Sequence, residues 1–293
     1  MGHYFDASPT ATSRPASVRL TLDDLTVDLA TDRGVFSPDH VDTGTRVLLA
    51  AAPTPTATQR VLVDVGCGYG VVSRLAADIV GPRGQVVGVD RDAAALTVAR
   101  GAAEAFANVQ FVAAELAALP GTLGTFDAVI GRRVLMYVPD VVSVVRSLAE
   151  LLRPGGIMAF QEIDSTMTPA STVDLPLHRQ VYRWIWGMVA SEGANLHMGF
   201  SLFSVLSQAG LAVQKIRAEA QVTTPDAPDT ITPIVRAVLP RMLAHGIVTE
   251  EAIGLDTLAE RLTSERAAAG ATWVGDISFC AWAHKARPNV AKQ

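Results

Sequence analysis

The sequence has few cysteines, few aromatic residues and no excess of positive charge. Only two of its 293 residues are cysteines, Cys67 and Cys280, too few for a disulfide framework or a cysteine metal cluster. We therefore expect a reducing compartment. Aromatic residues make up 6% of the chain, and the net charge of −5 with a pI of about 5.7 provides no stripe of phosphate-binding cations. This balance predicts that the protein has no nucleic-acid partner.

Long hydrophobic runs are also missing. Although 49% of the residues are hydrophobic, charged residues or glycine interrupt every apolar run before the roughly 18 residues that a membrane span needs. The N-terminus lacks the basic-then-apolar pattern of a secretory signal. These absences predict a cytoplasmic protein with no membrane partner.

The length favours one domain with additions, because 293 residues exceed a minimal domain but hardly suffice for two. Residues 1 to about 20 are rich in Ser, Thr, Pro and Ala, and a helix is predicted from Arg46 to Ala51, before the linker around Pro53 and Pro55. We therefore predict an N-terminal lid or cap segment over residues 1–57 and the main domain over residues 58–293.

Strands and helices alternate after residue 58, which predicts an α/β fold with a mostly parallel sheet and helices on both faces. Strands are predicted at about 60–65, 85–90, 109–113, 126–131, 157–162, 213–220 and 277–284. Helices are predicted at about 70–80, 92–106, 139–152 and 202–209, with turns at 81–84 and 153–156. Two inserts, at about 165–200 and 225–272, are predicted to supply one aromatic helix and two Ala- and Leu-rich helices.

A glycine turn follows the first strand of this domain. The strand around Val61–Val65 runs into Gly66, Gly68 and Gly70, and a second apolar strand ends at Asp90. Glycines let backbone N–H groups approach a ligand, and an acid at the end of the second strand can accept hydrogen bonds from ribose hydroxyls. The repeat G-x-G-x-G is closer than the G-x-G-x-x-G of dinucleotide sites. The pattern therefore predicts an adenosine-type cofactor without a pyrophosphate cradle.

Four segments together resemble the class I S-adenosylmethionine-dependent methyltransferases. Residues 63–70 (VDVGCGYG) resemble the family's first motif, 108–116 its third, 126–140 the motif after the fourth strand, and 152–162 the turn into the fifth strand. The resemblance implies a Rossmann-like doubly wound sheet of seven strands with an antiparallel last strand and helical inserts forming a lid. It also implies S-adenosylmethionine as cofactor and S-adenosylhomocysteine as product. The residues implied to bind the cofactor are Asp64, Gly66, Cys67, Gly68, Tyr69, Gly70, Asp90, Arg91, Ala114, Glu115, Leu116, Arg132 and Tyr137.

The sequence departs from one branch of that family. Residues 34–46 are similar to the entry segment of enzymes that methylate base amines of ribosomal RNA, but Gly131-Arg132-Arg133 stands where those enzymes have Asn or Asp, two prolines and an aromatic residue. We therefore expect a small, partly aromatic metabolite as substrate. The N-terminal segment is then a lid with Asp42 and Thr45 as contacts, or Asp42 or Thr43 is a plain helix cap.

Methyl transfer requires no covalent intermediate on the protein, because the sulfonium group of the donor is already activated. Holding donor and acceptor in attack geometry can supply up to roughly 7–11 kcal/mol. A hydroxyl acceptor also needs a base, for which the candidates are Glu162, His178 and His197. The alternatives are that Glu162 bonds loop backbone and that each histidine is a packing or surface residue.

Several neighbouring side chains allow two interpretations. Arg132 and Arg133 could meet an acidic substrate or form an internal salt bridge. Tyr182 and Trp186 lie four residues apart and suit either a substrate wall or core packing. Glu162 and Asp164 share a strand face but lack a third ligand, so no metal is predicted.

Other functions stay open at this point. A nicotinamide oxidoreductase is disfavoured by the glycine spacing and by the absence of a Tyr-x-x-x-Lys pair. The alternatives are a cofactor-binding protein of the same fold that catalyses a rearrangement without methyl transfer, and an RNA base methyltransferase. The sequence also leaves a homodimer open.

Overall fold

The computed structural model describes residues 16–22, 25–31, 48, 61–119 and 123–287, in two compact units. The first unit holds the described residues up to Glu162, together with Gly199–Arg217 and those from Phe279 onward. The second holds Ile163–Met198 and Ala218–Ser278, which include the helices predicted as inserts.

The strands are β1 (Ala16–Leu22), β2 (Leu25–Thr31), β3 (Val61–Val65), β4 (Gln85–Asp90), β5 (Val109–Ala113), β6 (Phe126–Arg132), β7 (Leu152–Asp164), β8 (Ala212–Thr223) and β9 (Trp273–His284). The α-helices are α1 (Val71–Val80), α2 (Ala93–Ala102), α3 (Val141–Glu150), α4 (Pro176–Ser191), α5 (Met198–Gln208), α6 (Thr232–Ala244), α7 (Glu250–Ile253) and α8 (Leu255–Ala269). Short 3-10 turns lie at Leu116–Ala118 and Leu135–Tyr137. None of the described helices has the length and apolar character needed to cross a membrane.

Seven strands form one sheet in the order β5-β4-β3-β6-β7-β9-β8, and β1 pairs with β2 in a separate antiparallel hairpin. Strands β5, β4, β3, β6 and β7 pair in parallel, and the sheet's last strands are antiparallel. The predicted α/β fold with a seven-stranded, mostly parallel sheet is therefore confirmed. The strand order reverses direction between β3 and β6, and ligands of such sheets bind at that switch point, outside the carboxyl ends of the strands.

The core of the first unit combines residues from the sheet with one face of α1. Val72, Ala76 and Val80 of α1 pack in the same cluster as Ile130 of β6 and Cys280 of β9. Leu48, in the region predicted as a helix from 46 to 51, is also buried in this cluster. The other parts of that helix, the linker at 53–55 and the contacts predicted for Asp42, Thr43 and Thr45 lie outside the described residues.

Helix α2 shows how the sequence sets a boundary and where the prediction is wrong. Asp92 caps its start, because its Oδ1 accepts the N–H groups of Ala94 and Ala95 at 2.9 and 3.2 Å. The helix ends at Ala102, four residues before the predicted end. The Phe106 N–H donates to the Ala103 carbonyl at 2.8 Å, and this turn accompanies packing of the Phe106 ring against the core.

Other boundaries also differ from the predictions. The predicted turn at 153–156 lies within β7 as a bulge: Phe126 pairs with Leu152 and Ala128 with Ile157, so four residues of β7 stand opposite one of β6. The second insert holds three helices instead of two, because Gly254 adopts a φ of 53° and separates α7 from α8. Strand β9 begins at Trp273, four residues before the predicted start.

The bulge carries an ion pair whose contribution we expect to be small. The Arg153 guanidinium lies 2.7 Å from Asp127 Oδ2, and the Arg153 side chain is 45% exposed. Solvent screens the pair from its exposed Arg153 side, and water can replace the guanidinium at the 11% exposed Asp127 side chain, so Arg153→Ala is expected to lower the free energy of unfolding by about 0.2–1 kcal/mol. Urea denaturation measures the difference, and a loss above about 2 kcal/mol would contradict a solvent-screened pair.

Candidate cofactor site

The glycine turn between β3 and α1 is tied to the neighbouring strand. The N–H groups of Gly66 and Cys67 both donate to the Val89 carbonyl, at 2.8 and 3.0 Å, and the Gly70 N–H donates to the Cys67 carbonyl at 2.9 Å. The Gly68 N–H donates to Asp90 Oδ2 at 2.8 Å. These four donors are engaged within the protein, so they do not form the array of backbone N–H groups that a diphosphate requires.

Each glycine of this turn has a left-handed backbone. Gly66, Gly68 and Gly70 have φ values of 67°, 52° and 72°. A Cβ on Gly66 would lie 2.5 Å from Val134 Cγ2, and one on Gly70 would lie 2.7 Å from the Phe111 ring. Backbone conformation therefore favours glycine at all three positions, and close packing also requires it at Gly66 and Gly70.

The Asp90 carboxylate is fixed at the end of β4. Its Oδ2 accepts from the Gly68 N–H and its Oδ1 from the Asp92 N–H at 3.0 Å. A carboxylate has about four acceptor positions, so each oxygen keeps room for one more donor. This arrangement suits two adjacent hydroxyl groups.

A cavity of about 280 Å³ lies beside this carboxylate, close to the lower end of the roughly 300–1,000 Å³ of small-molecule sites. All of its walls belong to the first unit. They come from the glycine turn, the ends of β4 and β5, the loop after β6 and the start of α3. The lining residues are Gly66, Asp90, Arg91, Ala114, Glu115, Leu116, Ala117, Arg133, Val134, Tyr137, Val138, Pro139 and Val144.

The cavity brings together seven of the predicted cofactor residues. These are Gly66, Asp90, Arg91, Ala114, Glu115, Leu116 and Tyr137. Cys67, Gly68, Tyr69 and Gly70 belong to the adjoining turn but not to this lining. Burial raises the pKa of the Cys67 thiol, which disfavours the reactive thiolate form.

The two arginines after β6 are placed differently. Arg132 Nε donates to Gln161 Oε1 at 3.0 Å, and Arg132 does not line the cavity. Arg133 does line it, which the sequence reasoning did not include among the cofactor residues. The backbone of Arg133 has a φ of 51°, a conformation that no sequence signal predicts for arginine.

Other lining residues were also missed by the sequence reasoning. Ala117, Val134, Val138, Pro139 and Val144 are small or apolar, and nothing distinguishes them in sequence from residues of the core. The available signal was their place in the chain: Val134, Val138 and Pro139 lie inside the motif segment 126–140, Ala117 directly follows the segment 108–116, and Val144 follows 126–140 within four residues.

Two of the buried carboxyl groups of this unit, those of Asp64 and Glu162, lie near the carboxyl ends of β3 and β7. Asp64 is 1% exposed and accepts from Ser73 Oγ at 2.6 Å, and Glu162 is fully buried. Burial raises the pKa of each to about 7. Asp64 lies in β3 just before the glycine turn and does not line the cavity, so its role in cofactor binding stays a prediction.

These raised pKa values predict a pH dependence of stability. The folded protein holds both protons more tightly than the unfolded chain, so the stability that they contribute is complete below about pH 4 and is lost as the pH rises to about 7. Asp64→Asn is expected to flatten this decline in urea unfolding measured across that range. A decline as steep as that of the wild-type protein would contradict the assignment to Asp64.

The predicted catalytic histidines have different surroundings within the second unit. His178 is fully buried, with Nδ1 2.7 Å from Glu265 Oε2 and Nε2 3.2 Å from Arg266 Nη1. Because a guanidinium only donates, Nε2 must accept and Nδ1 carries the hydrogen. Burial lowers the His178 pKa. Both ring nitrogens are thus engaged by protein groups, an arrangement that suits packing.

His197 is more accessible. Its side chain is 63% exposed, and its Nδ1 lies 2.8 Å from Thr166 Oγ1 and 3.7 Å from Asp164 Oδ1. Asp164 is fully buried and accepts the Thr166 N–H at 2.8 Å. The role of His197 as a base stays a prediction.

The aromatic residues of α4 pack within the same unit. The Tyr182 ring centroid lies 5.6 Å from that of Trp273, and Tyr182 is buried. Trp186 Nε1 donates to Asp276 Oδ1 at 3.2 Å. Among the described residues of both units, His, Cys, Asp and Glu form no group of three or more that could hold a metal ion.

Comparison with known proteins identifies the family. A family model for a methyltransferase domain matches residues 57–219. A 2-phytyl-1,4-naphtoquinone methyltransferase from Synechococcus elongatus is 32% identical over 137 residues, 46% of this chain and 57% of that protein. A ubiquinone biosynthesis O-methyltransferase from Albidiferax ferrireducens is 38% identical over 135 residues, 45% and 52% of the two chains. The matched part thus spans about half the length of these curated relatives.

Two solved structures share the fold. Phosphoethanolamine N-methyltransferase 2 from Haemonchus contortus, solved with phosphomonomethylethanolamine and S-adenosylhomocysteine, has a TM-score of 0.55 and 19% identity, covering 87% of this chain and 55% of that one. The YcgJ protein from Bacillus subtilis has a TM-score of 0.52 and 16% identity, covering 83% and 97%. Because the family model covers more than half of the sequence, the chain belongs to the methyltransferase-domain family, which confirms its resemblance to the class I S-adenosylmethionine-dependent methyltransferases.

Proposed function

We propose that this protein transfers a methyl group from S-adenosylmethionine to an oxygen, nitrogen or carbon atom of a small, partly aromatic metabolite. The observation that carries the proposal is the Asp90 carboxylate, held by the Gly68 and Asp92 N–H groups at the edge of the cavity. Its two remaining acceptor positions match the two ribose hydroxyls of the cofactor.

The rest of the cavity fits the other parts of the cofactor. Glu115 and Leu116 line it after β5, where a carboxylate and a backbone N–H can meet the adenine amine and a ring nitrogen. The glycine turn keeps its N–H groups for internal bonds, which suits a ligand that has no diphosphate. Asp64, buried behind the turn, would favour a cationic group on the methionine end of the ligand.

The substrate class is supported by charge and by the curated relatives. Their names describe a 2-phytyl-1,4-naphtoquinone methyltransferase and an O-methyltransferase of ubiquinone biosynthesis, and quinones contain a planar ring. The net charge of −5 disfavours RNA as the substrate. His197 is our candidate for a base, because its side chain is exposed and its Nδ1 lies against Thr166.

The experiment has two stages. Calorimetric titration with S-adenosylhomocysteine tests the cofactor site, and we expect saturable binding that NAD does not reproduce. Incubation with S-adenosylmethionine and a panel of hydroquinones, catechols and amines, followed by mass spectrometry, tests transfer. A product heavier by one methylene group together with S-adenosylhomocysteine supports the proposal, whereas an isomerised compound with unchanged cofactor favours the non-methylating alternative.

A further inference from the structure

The carboxyl group of Glu162 accepts hydrogen bonds from backbone N–H groups of the loop after β6. It lies near the end of β7 and is fully buried. Its Oε1 accepts the N–H groups of Val134 and Leu135 at 3.0 and 2.8 Å, while its Oε2 is buried without a hydrogen-bond partner. One oxygen thus receives two successive backbone donors at the start of the 3-10 turn Leu135–Tyr137.

The loop that Glu162 holds has an unfavourable backbone. Arg133, directly before Val134, has a φ of 51°, which a residue with a side chain adopts only where its surroundings impose it. The Arg133 N–H donates to the Gln161 carbonyl at 2.8 Å. Consecutive residues of β7, Gln161 and Glu162, therefore bind consecutive N–H groups of the loop.

The same loop forms one wall of the cavity. Arg133, Val134 and Tyr137 all line it, whereas Glu162 does not. Val134 also lies so close to Gly66 that a Cβ there would come within 2.5 Å of Val134 Cγ2. A shift of this loop would therefore move the cavity wall and release the contact with the glycine turn.

We propose that Glu162 is a positioning residue of the cofactor site, which fixes the wall formed by Arg133, Val134 and Tyr137 through its two backbone hydrogen bonds. The proposal rests on the proposed function, because the ligand that reports on the wall is S-adenosylhomocysteine. Burial raises the pKa of Glu162 to about 7, so protonated and ionised forms coexist near neutrality, and Oε1 can accept both N–H groups in either form.

Three substitutions separate geometry from charge. Glu162→Gln keeps an acceptor oxygen at the same reach, Glu162→Asp keeps the charge but is one methylene shorter, and Glu162→Ala removes both. We expect the dissociation constant for S-adenosylhomocysteine to stay within about threefold of the wild-type value in Glu162→Gln. In Glu162→Asp and Glu162→Ala it should rise at least tenfold, because the N–H groups of Val134 and Leu135 lose their acceptor.

The outcomes are distinguishable. If Glu162→Asp binds like the wild type and Glu162→Gln binds weakly, the charge of residue 162 is what matters, and the proposal is overturned. Unchanged binding in all three variants would overturn it too. Arg153→Ala, which alters the bulge at the other end of β7, is the matched control and should leave the dissociation constant unchanged.

Amide hydrogen exchange provides a measurement without any ligand. The Val134 and Leu135 amides should be protected in the wild type and in Glu162→Gln, and should exchange at least tenfold faster in Glu162→Asp. Equal rates in all three proteins would overturn the proposal even where Glu162→Ala does not fold. If the three proteins show this exchange pattern but the wild type does not bind S-adenosylhomocysteine, the proposed function is contradicted. The role of Glu162 in the loop is then still supported.

Discussion

Replacing Asp90 with alanine is expected to raise the dissociation constant for S-adenosylhomocysteine by roughly 5- to 150-fold, equivalent to about 1–3 kcal/mol. Asp90 accepts from Gly68 and Asp92 at the edge of the cavity, so its loss removes the acceptors proposed for the ribose and also frees the tip of the glycine turn. Isothermal titration calorimetry measures the change.

Asp92 offers a matched control two residues away. Its side chain caps α2 by accepting from Ala94 and Ala95, and it does not line the cavity. Asp92→Ala should therefore lower the free energy of unfolding by about 0.5–2 kcal/mol but change cofactor affinity little. Equal loss of affinity in the two variants would show that the effect of Asp90→Ala comes from general destabilisation and would contradict the assignment of Asp90 to the ribose.

Replacing Gly66 with alanine is expected to lower the free energy of unfolding by about 2–5 kcal/mol. A left-handed backbone costs an alanine about 1–2 kcal/mol, and the overlap with Val134 adds about 1–3 kcal/mol. The φ of 67° and the 2.5 Å separation that an alanine Cβ would have from Val134 Cγ2 both apply at this position. Chemical denaturation of the ligand-free protein measures the loss.

Gly68→Ala isolates the backbone contribution. Gly68 has a φ of 52°, but a Cβ there would meet nothing within 4 Å. We therefore expect Gly68→Ala to cost only about 1–2 kcal/mol. If the two alanine variants are equally stable, the contact between Gly66 and Val134 is not restrictive, and the coupling of the turn to the loop after β6 would be wrong.

The cofactor half of the fold follows closely from local sequence. Strands β4 and β5 begin and end at the predicted residues, because turn and polar residues bound each short apolar run. Errors occur where distant contacts change the local outcome. The bulge in β7 is visible only in the way that β7 pairs with β6. The early end of α2 occurs where Phe106 packs on the core.

In the candidate site too, some residues could be predicted from local sequence and others could not. Asp90 was identifiable because it ends a predicted strand, Glu115 was implied by the family resemblance, and both line the cavity. Arg133 was passed over in favour of Arg132, because local sequence does not tell which of two adjacent arginines takes the left-handed conformation. Histidine is a residue type that often acts as a catalytic base, so the sequence made His178 a candidate. Its partner Glu265 is 87 residues away along the chain, and local sequence gives no sign of that contact.

The sequence by itself determined the order of strands and helices in the cofactor half, the glycine turn and the acid that stands beside it. These features depend on residues that are neighbours along the chain, where side-chain periodicity and backbone freedom act directly. Only the tertiary structure decided that Glu162 binds the loop after β6, that Arg133 faces the cavity and that Glu265 and Arg266 engage His178. Those roles depend on burial and on hydrogen bonds between distant segments, which exist only once the chain has folded.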